Sequence, residues 1–95
     1  MHLHCGESLM SQMKDLDARQ ELLVITMEEC GELAQVCSKA LRKQRTDLQN
    51  LKDEIGDVYA MIDLMTEKGI VSWSEIHDRA REKRSKLAIW SDLKT

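Results

Sequence analysis

The sequence predicts an all-α protein: a bundle of three to four helices, mostly antiparallel and completed by oligomerisation. The 95-residue chain has no proline, no phenylalanine and six methionines, a composition that favours helices over strands. Its apolar residues recur with helical spacing, and no strand-like alternation appears. Hydrophobic residues make up 42% of the chain, too many for a disordered protein. We therefore expect one domain over residues 1–95, in which the role of the N-terminal segment 1–16 is left open.

Capping signals mark the first two helices. Glu7–Leu16 can form a short helix. Asp17–Gln20 then has the spacing of a capping box, in which the side chains at both ends of the motif bond each other's backbone. Helical periodicity continues from there to about Arg45. The sequence thus predicts one short helix followed by one long helix.

Two further helices follow in the same way. Thr46–Gln49 repeats the capping signal and opens a helix that Gly69 can end, because glycine accepts the left-handed conformation common after a helix C-terminus. Ser72–Glu75 opens the last helix, which runs to about Trp90. The short connections between these segments place neighbouring helices antiparallel.

The long helices carry more apolar surface than one small hairpin covers. In the second helix, one stripe advances by alternating steps of four and three residues: Leu23, Met27, Cys30, Ala34, Cys37 and Leu41. An adjoining stripe contains Leu22, Ile25, Leu33, Val36 and Ala40. The third helix is expected to bury a wider arc: Leu48, Leu51, Ile55, Val58, Tyr59, Met61, Ile62, Leu64 and Met65. These faces predict association into a dimer or a larger oligomer.

Several features favour a cytoplasmic location. The longest apolar run, Val58–Ile62, is far shorter than a membrane span. Residues 1–7 have no apolar stretch of signal-peptide length. Cys30 and Cys37 would lie roughly 10 Å apart on one helix, which is too far for a disulfide. We expect both to be reduced thiols, packed as small apolar groups.

Acidic residues interrupt the apolar arcs of two successive helices. Glu29 and Glu32 fall within the second stripe, Glu28 lies at its edge, and Glu54 and Asp57 fall within the next helix's arc. Residues three apart on a helix point the same way, so each pair shares a face. Two such pairs on antiparallel helices would form an all-oxygen site for Mg²⁺ or Mn²⁺. Alternatively, the acids pair with Lys and Arg and only set the helix register.

Other site classes fit less well. Di-iron bundles also need a histidine three residues after a glutamate, and no histidine of this chain has that position. The net charge of −3 argues against a nucleic-acid polymer as ligand. It does not exclude a phosphorylated substrate, because a metal ion can mediate the contact.

The acidic positions resemble a family signature. Glu28–Ala34 followed by Glu54–Val58 is similar to the EExxE…ExxD motif of the MazG-like all-α nucleoside triphosphate pyrophosphohydrolases, with 21 residues between Glu32 and Glu54. The resemblance covers roughly Leu22–Trp90 and looks closest to compact single-domain bacterial and phage members. It implies an all-α enzyme acting in the cytoplasm of a bacterium, or of the host if phage-encoded.

The resemblance also implies a reaction. Such enzymes use Mg²⁺ or Mn²⁺ and attack the α-phosphate of a (deoxy)nucleoside triphosphate with water, giving the monophosphate and pyrophosphate. Glu29, Glu32, Glu54 and Asp57 would be metal ligands, and Glu28 would hold a further ion or orient the water. Some compact relatives act on purine deoxynucleotides such as dGTP, and dimers or tetramers are expected. Two other functions stay open: a phosphoribosyl-ATP pyrophosphohydrolase-like enzyme and a non-catalytic helical dimerisation module.

Cationic and amide groups should complete such a site. Lys39 lies two turns after Glu32 and projects from nearly the same side, while Asn50 precedes Glu54 by one turn. On the last helix, three basic residues lie on or beside an apolar seam: Arg79, Lys83 and Lys86. We predict that Lys39 and these three contact phosphates, and that Asn50 contacts the sugar or base. The last helix lacks the family's frequent terminal Asn or Arg, so the base pocket stays open.

Overall fold

Three α-helices form the part of the chain that the computed structural model describes, residues 17–44 and 48–93. They are α1 (Ala18–Lys43), α2 (Leu48–Glu67) and α3 (Trp73–Trp90). Those two ranges contain no strand, so the predicted all-α class is confirmed. The expected helix over Glu7–Leu16 and the expected cap at Thr46 lie outside the described residues.

The start of α1 has the predicted capping box. The Asp17 carboxylate accepts a hydrogen bond from the Gln20 backbone N–H at 2.8 Å, and the Asp17 backbone N–H donates to the Gln20 side chain at 3.1 Å. These two bonds satisfy N–H groups that have no partner within the helix. The helix ends at Lys43, where Gln44 turns into the left-handed region at φ 54°.

Gly69 ends α2 as the sequence predicts. Its φ is +72°, and its backbone N–H donates to the Thr66 carbonyl at 3.1 Å while that of Ile70 donates to the Met65 carbonyl at 2.9 Å. This pair of bonds is the Schellman motif. Ser72 then caps α3 by accepting from the Glu75 backbone N–H at 3.2 Å. The predicted C-terminal end of α2 and both predicted ends of α3 are confirmed.

The chain divides into two compact units, residues 1–63 and 64–95. In the first unit, α1 and the larger part of α2 form a hairpin. Leu22 and Met61 are the only buried residues in the described part of the chain. The rest of the stripe that begins at Leu22 is half-buried, and so are four of the nine residues of the α2 arc: Leu51, Val58, Ile62 and Met65. No helix of the described ranges has the length and apolarity needed to cross a bilayer.

Two expectations about packing are wrong for the single chain. The wide α2 arc is not buried throughout, because Leu48, Ile55, Tyr59 and Leu64 are exposed. Cys30 and Cys37 are free thiols as expected, but both are exposed instead of packed. The physical reason is the same in both cases: a two-helix hairpin covers only the faces that the helices turn towards each other. Association into an oligomer therefore stays a prediction.

Candidate metal centre

Four carboxylates from α1 and α2 meet inside the first unit. Glu29 and Glu32 lie one turn apart on α1, and Glu54 and Asp57 lie one turn apart on α2. One carboxylate oxygen from each residue lies within 4.8 Å of those of the other three. We call Glu29, Glu32, Glu54 and Asp57 the acidic cluster. Residue spacing on the two helices predicts this cluster. The structure brings all four together.

Pairing within the acidic cluster follows the direction of the helices. Glu29 is within hydrogen-bonding range of Asp57, and Glu54 is within that range of Glu32. Moving three residues forward on α1 therefore corresponds to moving three residues backward on α2. This register is the one that two antiparallel helices require, and it puts the two i, i+3 pairs at the same level of the hairpin.

Two oxygen atoms of the cluster lack a partner. Oε2 of Glu29 and Oε2 of Glu54 are shielded from solvent and accept no hydrogen bond. Leaving a charged acceptor desolvated and unpaired costs more than leaving a neutral one, and native structures contain few such atoms. Asp57 is exposed, whereas the other three members are half-buried. The cluster thus has a shielded interior and is open to solvent at Asp57.

Desolvation and neighbouring negative charges raise the pKa of two members of the cluster, Glu29 and Glu54. The pKa of Glu29 is raised above 4.5, first by desolvation and then by the negative charges of Glu32, Asp57 and Glu54. The pKa of Glu54 is also raised, first by desolvation and then by the charge and hydrogen bond of Glu32 and by the nearby acids. One of those acids is Asp53, which our sequence prediction did not include. Its position beside Glu54 was the only signal for it.

These observations separate the two interpretations of the acids. Acids that merely set the helix register would face Lys or Arg, but the charged neighbours that shift Glu29 and Glu54 are all acidic. The cluster offers only carboxylate oxygens as ligands, and two of these oxygens have no hydrogen-bond partner. Such a ligand set fits a hard divalent cation such as Mg²⁺ or Mn²⁺. The cluster contains no histidine or thiol, so it does not fit a di-iron or zinc site of the usual composition.

The remaining predicted residues of α1 and α2 lie outside the acidic cluster. Glu28 is half-buried next to Glu29 but is not one of the four converging carboxylates. Lys39 is exposed on α1. Asn50 is exposed on α2 and already engages another group. Their assignments to the water, the phosphates and the sugar or base stay predictions.

The predicted cations of α3 belong to the second unit. Arg79 forms an exposed ion pair with Glu82 at 2.9 Å. The Lys83 ammonium lies 5.1 Å from the centroid of the Trp90 ring, a cation–π contact. Lys86 is exposed. All three lie on a solvated face of α3, and their assignment to phosphate binding stays a prediction.

Comparison with known proteins agrees with the geometry. No curated protein and no solved structure gives a significant match to the chain. The family model of the MazG nucleotide pyrophosphohydrolase domain matches residues 17–86. That range begins at the α1 N-cap, contains all four members of the acidic cluster and ends four residues before the C-terminus of α3. The chain belongs to the MazG nucleotide pyrophosphohydrolase family.

Proposed function

We propose that this protein is a divalent-metal-dependent nucleoside triphosphate pyrophosphohydrolase. Its substrate is a (deoxy)nucleoside triphosphate, and its products are the nucleoside monophosphate and pyrophosphate. A water oxygen bonds to the α-phosphorus, the bond from that phosphorus to the α,β-bridging oxygen breaks, and pyrophosphate leaves. Membership of the family supports the reaction class.

The observation that carries the proposal is the acidic cluster. Its oxygen atoms lie within 4.8 Å of one another, and two of them are shielded without a hydrogen-bond donor. Like charges at this separation repel unless protons or a cation compensate them. Glu29, Glu32, Glu54 and Asp57 would therefore hold Mg²⁺ or Mn²⁺. When bound, such an ion supplies positive charge for the triphosphate and lowers the pKa of water.

Other side chains of this chain have separate tasks in the proposal. Glu28 is half-buried, adjacent to the cluster in sequence and outside its ligand set, so its carboxylate is free to orient the attacking water and to accept its proton. Lys39 supplies a positive charge for the phosphates from the same helix. Arg79, Lys83 and Lys86 are the further phosphate contacts, and Asn50 bonds the sugar or base.

For the substrate, the proposal starts with purine deoxynucleotides, dGTP first, in the cytoplasm, where the nucleotide pool is found. This choice follows the family resemblance alone. A phosphoribosyl-ATP pyrophosphohydrolase-like activity would use the same cluster on a different nucleotide. Because both activities release pyrophosphate, one pyrophosphate-release assay can detect both, and the substrate that reacts distinguishes them.

The test is a product-release assay on the purified full chain. Each common ribo- and deoxynucleoside triphosphate, together with phosphoribosyl-ATP, is incubated with Mg²⁺, with Mn²⁺ and with a chelator. We expect equal amounts of monophosphate and pyrophosphate from at least one nucleotide, only with a metal present. Reaction in ¹⁸O-labelled water should put the label in the monophosphate, because attack is at the α-phosphorus. Release of orthophosphate and the diphosphate, or no turnover of any substrate, would overturn the proposal.

A further inference from the structure

Trp90, the last residue of α3, has a side chain that is open to solvent. The residue is 62% exposed, although tryptophan is highly buried on average. The other tryptophan of the chain, Trp73, is half-buried, and its ring centroid lies 5.6 Å from that of His77. The two tryptophans therefore differ in role. Trp73 contributes to packing within the second unit, whereas Trp90 presents most of its surface to solvent.

Three basic residues share the side of α3 on which Trp90 lies. At 100° per residue, Arg79, Lys83, Lys86 and Trp90 fall within about 60° of one another on the helical wheel. We call these four residues the α3 stripe, which extends about 16 Å along the helix axis. The cations all precede the indole in the chain. The stripe thus has a positively charged part and an aromatic end.

The two lysines of the α3 stripe are not neutralised by acids. Arg79 forms its ion pair with Glu82, but neither Lys83 nor Lys86 has an ion pair in the part of the chain that the structure describes. The Lys83 ammonium lies instead over the Trp90 ring, 5.1 Å from its centroid, within the range of a cation–π contact. Two ammonium groups are therefore available to an anion, and one of them contacts the indole.

An aromatic ring beside unpaired ammonium groups matches the chemistry of a nucleotide. Every nucleobase has a π-face that stacks on an aromatic side chain, and lysine binds phosphate as a point charge. The Lys83 ammonium lies over a single face of the indole, so a base that stacks on the opposite face does not displace it. Lys86 lies one helical turn before Trp90. A phosphate that either lysine binds thus leaves the attached base near the indole.

From these observations we propose that Trp90 stacks on the nucleobase of the substrate and causes a preference for purines. The inference rests on the proposed function, since it takes the substrate to be a nucleoside triphosphate. A purine has two fused rings, and it overlaps the two rings of an indole more fully than a pyrimidine does. A purine preference thereby has a physical cause in a residue of this chain.

The first test observes the indole directly and needs no catalysis. Trp73→Phe leaves Trp90 as the only tryptophan, and its fluorescence is titrated with dGMP in the presence of Mg²⁺. We expect saturable quenching, because stacking places the base against the excited ring. Pyrophosphate, which has no base, should leave the emission unchanged, and so should dGMP added to Trp90→Phe. The absence of saturable quenching in a folded Trp73→Phe would overturn the inference, even if the protein releases pyrophosphate.

The second test separates the base from the phosphates by kinetics. Trp90→Leu removes the ring, and we expect the KM for dGTP to rise about 5- to 150-fold, the range found when stacking aromatics are replaced by alanine. The kcat and the inhibition constant of inorganic triphosphate should stay close to those of wild type, and Trp90→Phe should recover most of the affinity. The matched control is Ile89→Ala, because Ile89 is 84% exposed and adjacent to Trp90 but off the α3 stripe.

The same kinetics test the purine preference. Wild type should have a lower KM for dGTP than for dCTP, and Trp90→Leu should narrow this difference. A wild-type preference for pyrimidines, an equal loss of affinity for inorganic triphosphate in Trp90→Leu, or an equal rise of KM in Ile89→Ala would overturn the inference. If no nucleotide is hydrolysed, the proposed function fails, whereas the fluorescence of Trp90 still decides whether this residue binds a base.

Discussion

The charged residues of α3 and those of the α1–α2 hairpin are arranged in opposite ways. On α3, Arg79 pairs with Glu82 and Arg81 with Asp78, each within one turn and in solvent. In the hairpin, four acids converge on one another, and two of their oxygen atoms are shielded from solvent and have no hydrogen-bond donor. Both regions are rich in charge, so composition alone does not distinguish them. Charged residues with an ion-pair partner one turn away indicate a solvated surface, whereas like charges that converge without such partners indicate a candidate site.

The largest expected effect is loss of turnover when a cluster member changes. Glu32→Gln and Asp57→Asn each remove a negative oxygen ligand while keeping the size of the side chain. We expect the rate of pyrophosphate release to fall by at least about 100-fold, since even outer groups that only support a metal are worth 10- to 100-fold. The control is Glu82→Gln on α3, which removes an acid with a local partner and should keep most of the activity. Equal activity in all three variants would refute the assignment of the cluster.

The next effect is stabilisation of the fold by metal. An ion that binds only the folded state at 100 times its Kd adds about 2.7 kcal/mol to the free energy of unfolding. For a domain of this size, that corresponds to a rise in Tm of roughly 10–20 °C. We expect Mn²⁺ to raise the Tm of the wild type and of Glu82→Gln, and to have little effect on Glu54→Gln. A melt of wild type that is unchanged by Mn²⁺ would count against the metal site.

A smaller effect concerns pH in the metal-free protein. The pKa of Glu54 is raised above 4.5, first by desolvation, then by Glu32 across the hairpin and by Asp57 and Asp53 on its own helix. The folded state therefore binds protons more tightly than the unfolded state, and the stability from this group is lost as pH rises through its folded-state pKa. With chelator present, Glu54→Gln should melt a few degrees higher than wild type at pH 7, and this advantage should vanish below about pH 4.5. The same advantage at both pH values would contradict the electrostatic cause.

The sequence predicted the acidic cluster because the relevant information is local. Glu29 with Glu32, and Glu54 with Asp57, show their shared faces by spacing alone, and the short connection between the helices implies that they are antiparallel. The caps at Asp17, Gly69 and Ser72 were predictable for the same reason, since each bond joins residues within one turn or two.

Burial was harder to predict, because it depends on what covers a helix and not on its own pattern. The wheel shows that Tyr59 and Cys30 belong to apolar arcs, but not that the hairpin leaves both exposed. The unpartnered oxygen atoms of Glu29 and Glu54 depend on distances between helices, which periodicity does not contain. The residues that bind the base could not be predicted, because the last helix lacks the family pattern that would have identified them.

The smallest expected effect is on the exposed pairs of α3. Arg79 and Glu82 hold a good distance, 2.9 Å, but both side chains are more than half exposed. Such pairs contribute between zero and about 1 kcal/mol, because solvent screens them and ordering two long side chains costs entropy. Glu82→Gln should therefore shift the free energy of unfolding by no more than about 0.5 kcal/mol in a urea titration. Arg79→Ala should change the free energy of unfolding by a similarly small amount. If Arg79 contacts phosphate, this substitution will also raise the KM for the nucleotide. A raised KM in Arg79→Ala with an unchanged KM in Glu82→Gln would assign Arg79 to substrate binding. An unchanged KM in both variants would show that Arg79 is only a surface charge, in contrast to the acids of the cluster.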